Sequence, residues 1–543
     1  MNNAIFNFKE PQNEPTYSYL PGSAETRQLK EELERQSNQV IDIPLIIGGK
    51  EIRTGKTGKV VMPCKHSHVL ATYHMATEKE VKMAIEAALK AKEAWMVLSW
   101  LERASIIMKA AELLSKKYRH VINASTMLGQ GKNVLQAEID SACEVIDFLR
   151  FNVYFASQIY DSQPTSTNTV LNRIEYRPLE GFIFAVTPFN FTAIASNLNT
   201  SVALMGNTVV WKPATTALLS NYYLMKVFKE AGMPDGVINF VPGSGPLISE
   251  IVLAHKDLAG IHFTGSNGTF NYLWQKSAEN LTRYKSYPKL VGETGGKDFI
   301  FAHPSTNPKE LATAILRGAF EFQGQKCSAA SRSYIPRSLW NETKELLLKG
   351  ISEIKMGDVR DFRNFMAAVI DEKSFDNIMG YIDYAKKSSD AKILAGGKGD
   401  KSVGYFIEPT LIEVTNPHFK TMEEEIFGPV MSIYVYEDKD FEAALKLCDE
   451  TSPYGLTGSI FSQDRYSMVQ ACRILRYAAG NFYYNDKPTG AMVGQQPFGG
   501  SRGSGTNDKS GSHLNLLRWI SPRTVKENLM PPTEYRYPHM DAE

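Results

Sequence analysis

From Gly181 onward the chain alternates short apolar runs with longer segments whose apolar residues recur at helical spacing. The runs are GFIFAVTPFN, NTVVWKPA, GVINFVPG and LAGIHFTGS; between and after them lie a stretch through Ala203, then NYYLMKVFKEAG, PLISEIVLAH and TFNYLWQKSAENL. Unbroken apolar runs of this length mark strands buried on both faces, and their alternation with helices predicts a mostly parallel sheet covered on both sides. Such sheets bind ligands beyond the carboxyl ends of their strands, where loops and helix N-termini converge. Upstream, Thr77-Glu78-Lys79-Glu80 forms a capping box, and Val81, Ile85 and Ala88 follow on one helical face. A second helix starts near Glu102 with the stripe Ile107, Ala110, Ala111 and Leu114, and Glu138 to Tyr154 continues the layer. The first forty residues read as a polar arm with a charged helix near SAETRQLKEELERQ, and DSQPTSTNTVLNRIEYRPLEG as an excursion with a strand at Val170 to Arg177. A second α/β stretch opens at Asn307-Pro308, a helix start signal, and runs through SIYVYED, FEAALKLCDE and TGSIFSQD to the Gly-rich QQPFGGSRGSG. An alternating strand in LNLLRWISPRTVKEN and a Pro-rich tail close the chain.

Composition narrows the class. With 543 residues, 43% apolar and 22% charged, the chain is globular and long enough for several units. Lys plus Arg number 60 against 59 Asp plus Glu, without a dense basic cluster, which excludes nucleic acid and anionic membranes as partners. No apolar run approaches a membrane span, and MNNAIFNFKEPQNEP has neither the apolar core of a signal peptide nor the basic character of a transit peptide. Five scattered cysteines without CxxC spacing point to a reducing compartment, and the cytoplasm is the expectation. Cys64, His66 and His68 cluster without a second ligand pair, so they read as a surface loop and no metal is expected. Gly55-Lys56-Thr57 lacks the first glycine of a phosphate-binding loop, and no GxGxxG follows a strand.

Cys327 in GQKCSA would by itself read as a buried small hydrophobe. Three further segments change that: TPFNFT with Asn190, VGETGGK with Glu293 and EEEIFGP with Glu425, joined by WKPA with Lys212 and FTGS with Gly265 and Ser266. In this order the set resembles the aldehyde dehydrogenase superfamily over nearly the whole chain. The resemblance implies an α/β fold with a Rossmann-like cofactor domain (1–164 with the arm, and 182–296), an α/β catalytic domain (297–512) and a small β oligomerisation flap with the C-terminal tail (165–181 and 513–543). The stretch NDKPTGAMVGQQPFGGSRGSGTNDKSG resembles the branch that oxidises an amino-acid semialdehyde, L-glutamate γ-semialdehyde, to L-glutamate in proline degradation.

By that resemblance Cys327 is the nucleophile, Asn190 and the Cys327 N–H receive the oxyanion, and Glu293 activates the water that hydrolyses the thioester. NAD is the implied hydride acceptor. Lys212 and Glu425 would hold ribose hydroxyls, Phe427 would pack near the nicotinamide ribose, and Thr187 with Gly265, Ser266, Asn267, Gly268 and Thr269 would face the adenosine and pyrophosphate half. Thr215 stands where many relatives carry an acid that would repel a 2′-phosphate, so NAD is expected to be preferred and NADP tolerated. Gly490, Ala491, Ser328 and Lys326 would grip the amino-acid head, with Phe191 and Phe498 on its aliphatic part. A homo-oligomer, at least a dimer, follows from the flap. Two alternatives share these residues: a CoA-acylating or reductase relative, which retention of Glu293 disfavours, and a non-catalytic scaffold, which the intact set disfavours.

Overall fold

Five parallel strands, Phe182–Val186, Val209–Lys212, Ile238–Phe240, Leu258–Thr264 and Lys289–Glu293, form the body of a seven-stranded sheet. The hairpin Leu45–Ile47 and Lys50–Ile52 completes one edge in antiparallel fashion. This is a computed structural model that describes residues 8–541; the first seven residues of the expected arm and the last two of the tail lie outside the described residues. The first four of these five are buried nearly throughout, as their unbroken apolar runs require, and Lys289–Glu293 at the edge is partly buried. Strand order reverses beside Phe182–Val186, whose neighbours are Val209–Lys212 on one side and Leu258–Thr264 on the other. Register then lines up the carboxyl ends: Val186 lies opposite Lys212 and Phe263, and Thr264 opposite Glu293. The helix expected after the capping box is Glu78–Trp95, and the Thr77 N–H donates to Glu80 Oε2 at 3.0 Å.

A second seven-stranded sheet carries the other half of the site. Asp298–Ala302, Ala330–Pro336, Thr410–Val414, Val430–Tyr436, Thr457–Phe461 and Asn481–Tyr484 are parallel, and Ala391–Ala395 closes one edge antiparallel. Helix Pro308–Phe320 begins at the expected signal, with Asn307 Oδ1 accepting the Lys309 N–H at 2.9 Å.

Val170–Pro178 pairs antiparallel with Ile520–Asn528, from Val170 opposite Asn528 to Pro178 opposite Ile520. No third strand joins this ribbon among the described residues. Asn207 roots both of its strands in the first domain: fully buried, it accepts the Leu179 N–H at 2.9 Å and donates to the Trp519 carbonyl at 2.8 Å.

Two expectations need correction. The flap was expected to resume at residue 513, but His513–Leu517 is a short helix capped by Ser512, and Leu516, Trp519 and Ile520 are core. Trp519 packs 4.6 Å from His262 of the first sheet, so the flap resumes only at Ile520. Cys64, His66 and His68 are also not a surface loop. Cys64 lies in the turn between Thr57–Met62 and Lys65–His74, and His66 and His68 lie in the second of these strands; with Ile41–Ile43 the two make a three-stranded sheet that the sequence reading missed. The Val403 carbonyl accepts the His66 N–H and the Pro63 carbonyl accepts the Tyr405 N–H, which covers Cys64.

Asn207→Leu would strand the Leu179 N–H and the Trp519 carbonyl in the core, at roughly 1–3 kcal/mol for each unsatisfied group. Urea denaturation should therefore show a loss of roughly 2–6 kcal/mol, and a loss below about 0.5 kcal/mol would contradict the anchoring role.

Candidate active site

Cys327 follows a turn that runs against backbone preference. Phe322, Gln323 and Gly324 are all left-handed, with φ of 52°, 55° and 67°. For the two non-glycine residues this costs of order 1–3 kcal/mol each. The buried Gln323 side chain holds the turn, donating to the Gly131 and Ala368 carbonyls and accepting the Ala367 N–H, each at 2.9 Å. Gln325 Oε1 accepts the Ile370 N–H at 2.9 Å. Glycine is required at 324, because a Cβ there would lie 2.2 Å from the Gly428 carbonyl oxygen.

The turn presents Cys327 to the end of strand Lys289–Glu293, where Sγ donates to Glu293 Oε1 at 3.4 Å. Burial pushes the Cys327 thiol well above its ordinary range, and the Glu293 charge adds to this. Burial pushes Glu293 up to about 7, opposed by the Cys327 hydrogen bond and the Lys509 charge. A buried carboxylate that titrates near neutrality beside a thiol can take its proton and later serve as a general base. The glycines of GETGGK let the second domain close on this strand end: a Cβ at Gly295 would strike the Glu425 carboxylate at 2.0 Å, and one at Gly296 the Cys327 carbonyl at 2.4 Å. Glu293 also bridges Gly505, and the Gly292 carbonyl accepts the Thr506 N–H, so the Gly-rich SRGSGTN segment braces the general-base candidate.

Asn190 sits in the loop between Phe182–Val186 and helix Thr192–Leu204, with Nδ2 donating to the Gln325 carbonyl at 3.1 Å. Its amide is thus tied to the cysteine turn, with one of its two N–H groups engaged. The N-terminus of that helix is capped from elsewhere: Asp140 accepts the Thr192 and Ala193 N–H groups at 3.0 and 2.9 Å. Lys132 Nζ donates to Asp140 at 2.8 Å, and both side chains are at most 1% exposed. The same ammonium lies 3.9 Å from the Phe191 ring centroid and 4.6 Å from that of Phe322. One buried ion pair therefore touches both the asparagine loop and the cysteine turn.

A cavity of about 100 Å³ opens onto Cys327 and Glu293. All six residues expected on the substrate side, Phe191, Lys326, Ser328, Gly490, Ala491 and Phe498, line it. Lys326 is not a free cation: its ammonium donates to Glu321 at 3.1 Å, and burial pushes it down to about 8 against the pull of Glu321. Burial would raise Glu321, but the Lys326 and Lys487 ammonium groups outweigh it and hold the carboxylate low. Ser328 Oγ donates to Thr489 Oγ1 at 2.8 Å.

The expected cofactor residues lie around the strand ends. Lys212 ends its strand, its ammonium has no acceptor among the described residues, and burial pushes it down. Its Cε approaches Gly245, which opens helix Gly245–Leu253, a helix with no side-chain cap. Ser266 caps Asn267–Glu279 by accepting the Thr269 N–H, so the Gly265, Ser266, Gly268 and Thr269 turn is a second helix N-terminus. Asn267 turns away from that role, its amide donating to the Gly503 carbonyl at 2.7 Å. Thr187 is buried and its hydroxyl accepts from the Trp211 indole at 2.8 Å. Thr215 starts the turn Thr215–Ala217 after Lys212. Across the cleft, Glu425 accepts the Gly296 N–H at 3.0 Å and burial pushes it up to about 7. Phe427, left-handed at φ 58°, packs 5.8 Å from Phe189. An unpartnered ammonium, two helix N-termini and a facing carboxylate fit a dinucleotide with ribose hydroxyls and a pyrophosphate.

The pattern called Aldehyde dehydrogenase family matches residues 52–525. The chain belongs to the aldehyde dehydrogenase family. It is 55% identical over 537 residues to the Delta-1-pyrroline-5-carboxylate dehydrogenase, mitochondrial, of Dictyostelium discoideum, covering 98% of this chain and 96% of that one. Identity to the human protein of the same name is 47% over 529 residues, covering 97% and 94%. The crystal structure of the Delta-pyrroline-5-carboxylate dehydrogenase from Mycobacterium tuberculosis bound with NAD superimposes with a TM-score of 0.96 at 49% identity, over 100% of both chains.

Within this aldehyde dehydrogenase, Lys132, Asp140, Gln323 and Glu321 escaped the sequence reading. Lys132 sits in the loop after helix Arg119–Gln130 and Asp140 within the helical segment Glu138–Glu144, with no pattern to mark them, whereas Glu321 precedes GQKC at a spacing that charge pairing with Lys326 could have exposed. Removing Asp140 should cost more than removing Lys132, because Asp140 also holds two backbone N–H groups. Asp140→Ala is expected to lose about 3–5 kcal/mol of stability in chemical denaturation, and Lys132→Met about 1–3 kcal/mol less than that. Equal losses would contradict the capping role.

Proposed function

We propose that the chain is an NAD-dependent dehydrogenase that oxidises L-glutamate γ-semialdehyde, the open form of Δ1-pyrroline-5-carboxylate, to L-glutamate in proline degradation. The observation that carries this reading is the single cavity in which the Cys327 thiol meets the Glu293 carboxylate and the six expected substrate residues converge. The names of the relatives and the NAD bound to the mycobacterial protein support it.

Cys327 Sγ adds to the aldehyde carbon while its proton passes to Glu293. The resulting oxyanion is received by the remaining Asn190 N–H and by the Cys327 N–H, which has no acceptor among the described residues. A bound NAD would supply the hydride acceptor for the oxidation. Lys212 and Glu425 would hold its ribose hydroxyls, and the Ser266 turn would receive its pyrophosphate. Once Glu293 has released its first proton, it takes one from the water that attacks the thioester carbon, freeing glutamate and the thiol. Phe191 and Phe498 pack on the aliphatic chain, and Gly490, Ala491 and Ser328 hold the amino-acid head. The Lys326–Glu321 pair contributes local polarity to that head rather than a free charge.

The chain divides on this reading into a cofactor unit, a catalytic unit and a flap, a division that the two sheets and the ribbon from Ile520 support. The ribbon's unpaired edges favour a homo-oligomer. All five cysteines are free, which supports a reducing compartment. The cytoplasmic expectation rests on the sequence alone, and the relatives named mitochondrial weigh against it.

Purified protein given L-glutamate γ-semialdehyde and NAD should form NADH and glutamate without added CoA or phosphate; a requirement for either would overturn the reading. With Thr215 in place of an acid, NADP should also be used, at a lower kcat/KM, and a preference for NADP would contradict the assignment. Because Glu293 acts as the carboxylate and titrates near about 7, turnover should rise with pH through that value. Glu293→Gln should remove that limb, slow the NADH burst through loss of the thiol's proton acceptor, and slow turnover still more through loss of the hydrolytic base; equal loss of burst and turnover would contradict its role in hydrolysis.

A further inference from the structure

The family match begins at residue 52, yet the arm ahead of it reaches the wall of the substrate cavity. Asn13 is half-buried there, and every donor of its amide is used. Nδ2 donates to Asp147 Oδ2 and to the Val493 carbonyl, each at 2.8 Å, and Oδ1 accepts from Gln495 Nε2 at 2.8 Å. Next to it the Glu14 N–H donates to Asp147 Oδ1 at 2.7 Å. The Glu14 carboxylate is gripped by Arg119 and Arg150, each at 2.6 Å, so the arm is fixed to the helical layer before it touches the loop.

The loop it touches is the one that would hold the substrate head. Gly490, Ala491, Met492, Val493 and Gln496 line the cavity with Cys327. Gly490 and Gly494 are left-handed, with φ of 101° and 82°, and a Cβ at Gly494 would overlap the Phe151 ring. Inside the loop, Met492 bonds Gln495 and Gln496, which closes a turn without fixing where the turn sits. Among the described residues, the polar ties from 490–496 to the rest of the protein all run to Asn13. Two glycines make the loop pliable, and this amide sets its distance from helix Val145–Asp161, which carries Phe148 into the same cavity.

We propose that Asn13 is a positioning residue for substrate specificity, which holds the 490–496 loop at the spacing an amino-acid head requires. The proposal rests on reading this cavity as the semialdehyde site. A small aldehyde without the head, such as propanal, needs Cys327, Glu293 and the cofactor but not the loop. Steady-state kinetics of Asn13→Ala with both aldehydes tests it. Losing hydrogen bonds of about 1–1.5 kcal/mol should raise KM for the semialdehyde about tenfold, with KM for propanal and NAD changed less than about threefold. Gln495→Ala, at an exposed residue, should shift the semialdehyde KM the same way by about threefold. An unchanged semialdehyde KM in both variants, or an equal rise for both aldehydes, would overturn the inference. A wild-type enzyme with no preference for the semialdehyde over propanal would instead overturn the reading of the cavity on which it rests.

Discussion

The buried contact between Lys132 and Asp140 is the constraint on which the site's geometry depends. Its carboxylate caps the helix that follows Asn190, and its ammonium lies between Phe191 and Phe322, one from each half of the molecule. Burying two opposite charges is expensive unless each finds further partners. Here those partners are the loops that chemistry needs to bring together: the amide donor comes from the first sheet and the thiol from the second. The pair therefore serves geometry more than stability, because a hydrophobic replacement could fill its volume but could not hold the helix N-terminus.

A second constraint comes from close approach. The strand end at Glu293 is crowded by Phe270, Glu425, Cys327 and the Gly-rich segment around Gly505, and glycines at 292, 295, 296 and 505 leave no side chain in the way. Tight closure dehydrates the site, and dehydration brings the Glu293 carboxyl to about 7 while keeping the Cys327 thiol protonated until a proton acceptor and substrate are in place. Position and proton affinity thus have one origin.

These features differ in how far they can be read from the chain. The parallel sheet was legible because its strands are unbroken apolar runs, and the helix starts at Thr77 and Asn307 because capping is a local interaction. Cys327, Asn190 and Glu293 were singled out through short motifs whose order along the chain resembles that of a family. The small sheet around Cys64 was missed because its hairpin strands alternate weakly and its third strand is only three residues long, and Trp519 because its partner His262 is far away in the sequence. Lys132, Asp140 and Asn13 were missed for the same reason: each looks like a surface polar residue until the fold brings its partners to it.

The central claim is that one cavity holds the aldehyde carbon between Cys327, Asn190 and Glu293 while the 490–491 turn holds the amino-acid head. A crystal structure with L-glutamate and NAD tests this most directly. The account predicts the γ-carboxylate within hydrogen-bond distance of Asn190 Nδ2 and the Cys327 N–H, with the α-carboxylate on Gly490 and Ala491. Glutamate bound in the reverse direction, or outside the cavity, would contradict it.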